Sequence, residues 1–558
     1  MMEKYMGYIE LMGMSPYTYF TRYVLPMLVL LLIFPPAMFF LISPIFGTVY
    51  ILYLFILVSL LIFAVLLIFP FLAAENVRGE IENNIHLYVT HLAALSTCDV
   101  PVNELFRAIS LKKEYGALAK AANEIYMRFT VWHVTLGDSC RITARGTPSK
   151  IFSDFLDRFA SALDSGENLP EFLNEEQNVV MGEYTIRYRG ALYDVEVLKD
   201  VFVSIVITLV FLISFVIIVP YITGMDVNFL TTLVMVLYVL LELGMVYYIK
   251  SVLPEDKIWN EKFTSDEMKK TLVPLFALSL GLSLFIALAV NAVEIPRELK
   301  IALSLTPFLI IGYVAREIEE KIKRRDTFFV EFIISFGLGV AARGGIVVES
   351  LRDLVAHDFG PLSVCIKNLF ERLKTRINVQ HSWLLFQKES GSYLMSRFVN
   401  IFVEGVDLGG KPNKISEIIG RNFMQLQMLR RERYNSTAST IGIMYGLQAG
   451  VSFSLYVAGG IVKYMDAIYS RISVPEQVLK SIIFRPPPTT IEIVYLALIL
   501  AYVLHALFSA ITIRLSDGGH MLNAMIHFVI LVWVGTGIAI LVQAVMEVLM
   551  PLPIPISA

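Results

Sequence analysis

Residues 148–173 read PSKIFSDFLDRFASALDSGENLPEFL. Ile151, Phe152, Phe155, Leu156, Phe159, Ala162 and Leu163 recur at three- and four-residue spacing, which places them on one face of an α-helix. Thr147 and Pro148 suit a helix start, as N-cap and first-turn residue. Asp164-Ser165-Gly166 suits its end, because glycine adopts the left-handed conformation without a steric penalty. Pro170 opens a second helix. The stretch therefore predicts a helix, a glycine turn and another helix.

The pattern returns in residues 392–419, SYLMSRFVNIFVEGVDLGGKPNKISEII. At an offset of 243, Phe155 matches Phe398, Phe159 matches Phe402, Asp164 matches Asp407 and Gly166 matches Gly409. Upstream, Tyr115-Gly116-Ala117-Leu118 answers Phe359-Gly360-Pro361-Leu362 at 244, and Glu104 answers Glu349 at 245. Anchors that keep one register over this length mark an internal duplication of a helical domain.

Around these two stretches the chain is strongly apolar: 558 residues, 56% hydrophobic, mean hydropathy +0.66. A soluble chain of this length is not so apolar, so the composition indicates a polytopic membrane protein. A span needs about 20 largely apolar residues. Nine segments qualify, at 24–42, 46–74, 199–220, 229–249, 271–291, 299–315, 437–462, 490–513 and 521–549. The sixth is short, and Pro35-Pro36 should kink or break the first. The expected fold class is thus an all-α polytopic membrane protein with about nine transmembrane helices and two duplicated helical-bundle domains. The bundles are 75–198 and 316–436; 1–23 is an N-terminal segment and 550–558 a tail. Spans occupy 24–74, 199–315 and 437–549.

Four spans separate the two bundles, so both face one side. Segment 75–198 holds 12 Lys+Arg and 316–436 holds 19, whereas turns such as 221–228 and 292–298 hold few. Lys321, Lys323, Arg324 and Arg325 follow one span directly, and Arg430, Arg431 and Arg433 precede another. Positive charge beside span ends marks the inner side. Both bundles and the N-terminus are therefore expected in the cytoplasm. The loop 463–489 with Pro486-Pro487-Pro488 and the C-terminal tail with Pro551, Pro553 and Pro555 are expected outside. The bundles differ in charge: 18 Asp+Glu outweigh the 12 cations of the first, and 14 fall short of the 19 of the second, giving about −6 and about +5. Opposite charges of this kind are expected to draw the bundles together, to offer different faces to a partner, or simply to form solvated helical surface.

The residues exclude several kinds of chemistry. Gly405 to Lys411 has the spacing of a phosphate-binding loop, but Pro412 stands where a metal-binding hydroxyl is needed and a helix precedes it. His86 and His91 are five apart, off a common helix face, and no HExxH or GxSxG occurs. Cys98, Cys140 and Cys365 form no CxxC pair, which argues against a zinc site or disulfide framework; they read as reduced and buried. No enzyme activity, cofactor, metal or nucleic acid is expected. The first 23 residues show neither a cleavable signal nor a prepilin-type leader. Polar residues inside spans are few: Glu242, Gln448, His505, His527, Gln543 and Glu547. Glu242 and Gln448 are the candidates for an intramembrane polar contact, either with a partner helix or within the chain.

The duplicated helix, Asp-x-Gly turn and helix resemble the F-type platform proteins of type II secretion and type IV pilus machines. The pattern Ala144-Arg145-Gly146-Thr147-Pro148-Ser149, then Phe155-Leu156, then Leu163-Asp164-Ser165-Gly166, is similar to the archaeal branch, the archaellum assembly membrane proteins. The second copy departs from it at Leu408-Gly409-Gly410. The resemblance implies a membrane platform for an archaellum or an adhesion pilus, working as a homodimer. It implies a cytoplasmic hexameric secretion ATPase and pilin- or archaellin-like subunits as partners. Candidate contacts for the ATPase are the charged turns with Asp164, Gly166 and Glu167, and with Asp407, Gly409 and Lys411. Further candidates are the basic residues Arg324, Arg325, Arg430 and Arg431, which also suit anionic lipid, and the short loop with Asp517 and His520. The competing reading is a permease or exporter; the sparse intramembrane charge weighs against it.

Overall fold

A computed structural model describes residues 16–26, 48–98, 100–219, 227–469 and 489–550. Most of the first expected span, with Pro35-Pro36, lies outside these residues. So do most of the two loops at 221–228 and 463–489, with Pro486-Pro487-Pro488, and the tail 551–558. The described residues form helices and no strand. After a short helical segment at Pro16–Tyr19 and Phe20–Val24 come α1 (Thr48–Leu95), α2 (Val102–Ser110), α3 (Ala117–Thr130), α4 (Leu136–Gly146), α5 (Lys150–Ser165) and α6 (Leu169–Ile218). Then follow α7 (Val227–Val252), α8 (Glu261–Asn291), α9 (Arg297–Leu305) and α10 (Phe308–Ala342). The second polar segment adds α11 (Val347–Leu354), α12 (Ser363–Lys374), α13 (Val379–Ser390), α14 (Tyr393–Asp407) and α15 (Pro412–Tyr469); α16 (Thr489–Asp517) and α17 (Ala524–Leu549) close the chain.

The element order from α1 to α6 repeats from α10 to α15. A 3₁₀ turn precedes α3, at Lys113–Tyr115, and another precedes α12, at Gly360–Leu362. Gly116 and Gly360 share a φ of +53°, where an L side chain is strained. The capping groups repeat as well. Thr135 caps α4 and Asn378 caps α13, each side chain accepting from the backbone N–H three residues on. Ser149 caps α5 and Ser392 caps α14 in the same way. Gly166 (φ +67°) and Gly409 (φ +84°) end α5 and α14 in the left-handed conformation. This agreement of caps and turns is what the duplicated sequence register implies.

Ser149, not Thr147, is the N-cap of α5. Proline disfavours the helical conformation in the residue before it. Thr147 is accordingly extended (φ −88°, ψ 141°) and closes α4 instead.

Seven described segments are long and apolar enough to cross a membrane, which makes this a multi-pass membrane protein. The sixth expected span is not one helix. It breaks at Thr306-Pro307, because proline has no N–H to continue the ladder. From there α10 runs unbroken to Ala342. The expected domain limits at 198, 315 and 436 all fall inside continuous helices, α6, α10 and α15.

The chain divides into two units. The first is Met1–Tyr184 together with Glu404–Ile418. Its core is aromatic: the Tyr88 ring meets Tyr115, Phe152 and Phe155 edge-on at centroid distances of 5.9, 5.8 and 6.5 Å, and Phe106 meets Phe159 at 5.6 Å. The second unit is Thr185–Val403 together with Ile419–Ala558. Its polar bundle is built on Phe329, Phe332, Phe336, Trp383, Phe386, Phe398 and Phe402, all buried. Its membrane part is built on Tyr238, Met444, Leu455, Val494, Leu498, Val529 and Val532. Cys98, Cys140 and Cys365 are buried free thiols.

Candidate functional site

The second unit concentrates its buried charge where α15 passes from the polar bundle into its apolar half. Arg430 donates from Nε to both oxygens of Asp256 at 2.9 Å, and from Nη2 to Asp256 at 2.6 Å and the Lys257 carbonyl at 3.1 Å. Its Nη1 reaches Asp326 on α10 at 3.1 Å. One turn on, Arg433 donates to three carbonyls, of Ser516 and Leu515 at 2.7 Å and of Pro254 at 3.0 Å. Arg514 pairs with Glu319 and Asp517, and its Nε donates to the His520 carbonyl at 2.9 Å. Lys323 adds a bond to Glu319 at 3.1 Å and lies 4.2 Å over the Tyr434 ring. Three guanidiniums thus join the α7–α8 connector, α10, α15 and the end of α16.

The turn after α16 is shaped by this cluster. Gly518 has a φ of +83°. A Cβ on Gly519 would lie 2.4 Å from a Glu319 oxygen and would overlap the Arg514 guanidinium. Only glycine lets the backbone pass so close to the ion pair.

Burial alone would raise the Asp256 carboxyl; the guanidinium of Arg430, helped by Arg433 and Lys323, holds it below the usual carboxylate range. Glu319 follows the same logic, with Arg514 and Lys323 outweighing burial. Asp326 goes the other way. Its burial pushes it up to about 6 in spite of Arg430. A buried charge cluster of this kind is a geometric tie: each partner needs the others in place.

The first unit has a second, smaller cluster. His91 on α1 lies 3.1 Å from Glu404 through Nε2 and 3.1 Å from the Tyr115 hydroxyl through Nδ1, and Lys112 reaches Glu404 at 2.8 Å. The Cys98 thiol donates to the Gly405 carbonyl at 3.3 Å. A Cβ on Gly410 would lie 2.7 Å from the Cys98 sulfur. The end of α14 and its turn are thereby seated on the α1–α2 corner. Burial would raise Glu404, and the hydrogen bonds from His91 and Lys112 bring it below its ordinary value.

Several residues singled out from the sequence stay on the surface. Asp164, Gly166 and Glu167 are exposed, with Asp164 accepting from Arg141. Asp407, Gly409 and Lys411 are exposed, as are Arg324 and Arg431. Others are tied inside. Arg430 is 7% exposed and its donors are occupied by Asp256 and Asp326, so it is an internal tie rather than a surface contact. Arg325 donates to the carbonyls of Glu389 at 2.7 Å and Ser390 at 3.1 Å. Asp517 is held by Arg514, and His520 stacks on Trp259 at 4.5 Å.

Within the membrane part, Glu242 is 1% exposed and meets His505 at 2.6 Å. Gln448 donates to the Tyr502 carbonyl at 3.2 Å. Both polar groups therefore serve contacts within the chain. Asp256, Asp326, Glu319 and Glu404 carry no motif and were not singled out from the sequence. Their one signal is an acid close to a span end or beside a repeated turn. Among the described residues no cluster of His, Cys, Asp and Glu is suited to hold a metal ion.

Residues 88–217, from α1 of the first bundle to the apolar half of α6, match the family Type II secretion system (T2SS), protein F. Flagella accessory protein J of Methanocaldococcus jannaschii is 34% identical over 555 residues, covering 98% of each chain. Flagella accessory protein J of Methanococcus voltae is 32% identical over 555 residues, again 98% of each. An uncharacterized protein of Methanocaldococcus jannaschii is 28% identical over 145 residues, 25% of this chain and 24% of that one. No solved structure matches. With 98% of its length aligned to the two flagella accessory proteins J and residues 88–217 matching the secretion family, this multi-pass membrane protein belongs to the family of flagella accessory protein J.

Proposed function

We propose that this chain is the membrane platform of an archaeal type IV-like filament machine, a structural protein rather than an enzyme. It takes motion from a cytoplasmic hexameric ATPase and delivers it to pilin- or archaellin-like subunits leaving the membrane. The observation that carries this reading is the continuity of the helices between bundle and span. α6 has 50 residues and α15 has 58, each polar in one half and apolar in the other. At 1.5 Å per residue α15 is about 87 Å long. An unbroken helix transmits a displacement applied at one end, where a loop would absorb it. The ionic cluster on Arg430, Arg433 and Arg514 supports the same reading, since it clamps α15 to its neighbours where the polar and apolar halves meet. Both bundles lie in the cytoplasm on this reading, which the cations at the span ends support.

The test is a detergent pull-down of the full chain from native membranes, with captured proteins identified and assayed for ATP hydrolysis. Recovery of a hexameric secretion ATPase, lost on removing 75–198, is the expected result. Recovery of none from folded protein refutes the reading. Solute uptake or efflux that persists when both bundles are deleted would favour a permease.

A further inference from the structure

Among the described residues only two non-glycine residues have a positive φ, His133 (+54°) and Arg376 (+60°). They are 243 positions apart, the same offset that relates the two copies of the bundle. Each sits in the turn between the third and fourth helices of its copy, after α3 and after α12. Each turn closes back on an arginine carbonyl at the helix end: Val134 N–H donates to Arg128 and Ile377 N–H to Arg372, both at 3.0 Å. The left-handed position after a helix is the one where glycine is usual and any other residue is strained. Both copies nevertheless hold a large side chain with N–H donors there, followed by a β-branched apolar residue.

The surroundings fit a contact rather than a relaxed surface turn. In the first copy Val131 is 55% and Trp132 68% exposed, beside an exposed His133. Tryptophan is one of the residue types enriched among the few side chains that carry most of the binding energy at protein interfaces. In the second, Ile377 and Val379 are exposed among Lys374, Arg376 and His381. Each tip is also braced. Arg128 reaches the Thr143 hydroxyl at 2.5 Å, and Arg372 pairs with Glu389, so each turn is fixed to the fourth helix of its bundle. A braced tip loses little freedom on binding.

We propose that these two tips, 131–134 and 375–379, are docking points for a protein partner. That partner is a homo-oligomer whose subunits each offer an apolar notch edged by carboxylates. Carboxylates accept from Arg376 and His133, and the notch takes Trp132 and Ile377. A partner with the same notch on every subunit is the one that can use the same tip twice. This rests on the reading above, in which the partner is the hexameric ATPase. A lipid surface fits less well. The backbone at 391–393 pairs with 258–260, just past the apolar end of α7, and α13 then carries the Arg376 turn about 18 Å away along its 12 residues.

The test compares the full-length protein with H133G/R376G and H133K/R376K, using the captured ATPase as probe. Glycine relieves the strained turn, so the melting temperature should hold or rise, while affinity for the ATPase falls at least tenfold. The lysine variant, which restores a donor, should recover part of it. Affinity unchanged within twofold in H133G/R376G, with the wild type binding, overturns this inference and leaves the platform reading intact. A wild type that binds no ATPase overturns both. Loss of binding to vesicles containing an anionic lipid, with ATPase affinity unchanged, overturns it in favour of a lipid contact.

Discussion

Replacing Arg430 by methionine removes the centre of the ionic cluster while keeping much of the side-chain volume. In the native protein that guanidinium faces Asp256, whose side chain is 16% exposed, and Asp326, at 4%. Without it, two poorly solvated carboxylates face one another with no cation between them. Breaking a buried pair in this way costs about 3–5 kcal/mol. The lower end applies here, because Asp326 already holds its proton up to about pH 6 and can neutralise itself. Cys365 supplies the readout. It is 2% exposed in the same unit, so a thiol reagent reaches it only when the bundle opens. At 1.4 kcal/mol per factor of ten, a loss of 3 kcal/mol raises its labelling rate by about a hundredfold. Labelling is followed on purified protein in detergent, with the Cys365 peptide resolved by mass spectrometry. The variant R430M combined with D256N and D326N should recover most of the loss, since it leaves no charge unpaired. A labelling rate within threefold of the wild type in R430M, or a triple variant as labile as R430M, refutes the reasoning.

The same cluster gives a pH dependence. The folded Asp326 carboxyl titrates at about 6, above its ordinary 3.8. The folded protein therefore binds a proton here that the unfolded chain has already lost. This group's contribution to stability is complete below pH 3.8 and is lost as the pH rises through about 6. Asp326→Asn should accordingly be neutral or stabilising at pH 7, and should flatten the pH dependence of Cys365 labelling between pH 4 and 6. Gly410→Ala places a methyl group against the Cys98 sulfur and Ile415, an overpacking worth about 1–3 kcal/mol. It should speed labelling of Cys98 with little effect on Cys365, and equal effects on the two thiols would refute the assignment of this turn to the first unit.

Much of the architecture was legible because it is local. Helical periodicity at Phe155 and Phe159, repeated at Phe398 and Phe402, needs only residues a few positions apart, and so does a glycine that ends a helix. The duplication followed from these anchors, and the capping side chains Ser149 and Ser392 agree with it. What stayed hidden was pairing over distance. Asp256 and Arg430 are 174 residues apart, and Glu242 and His505 are 263 apart. Each of these residues looks ordinary alone, and nothing in one chain says which acid meets which base. The break at Thr306-Pro307 was hidden for another reason: averaged hydropathy registers how apolar a segment is but passes over a single missing donor. The left-handed turns at His133 and Arg376 were invisible because the sequence signal for that conformation is glycine.

Two copies of one bundle on a single polypeptide have a consequence for how the protein changes over time. In an assembly of identical chains every substitution appears in all copies at once, and facing surfaces must stay self-complementary. Here a substitution in one copy leaves the other as it was. The copies have used that freedom: they keep the same caps and the same turns, yet one carries about −6 and the other about +5. Fusion has fixed their stoichiometry while releasing them from symmetry, so each half can specialise without unmaking the fold they share.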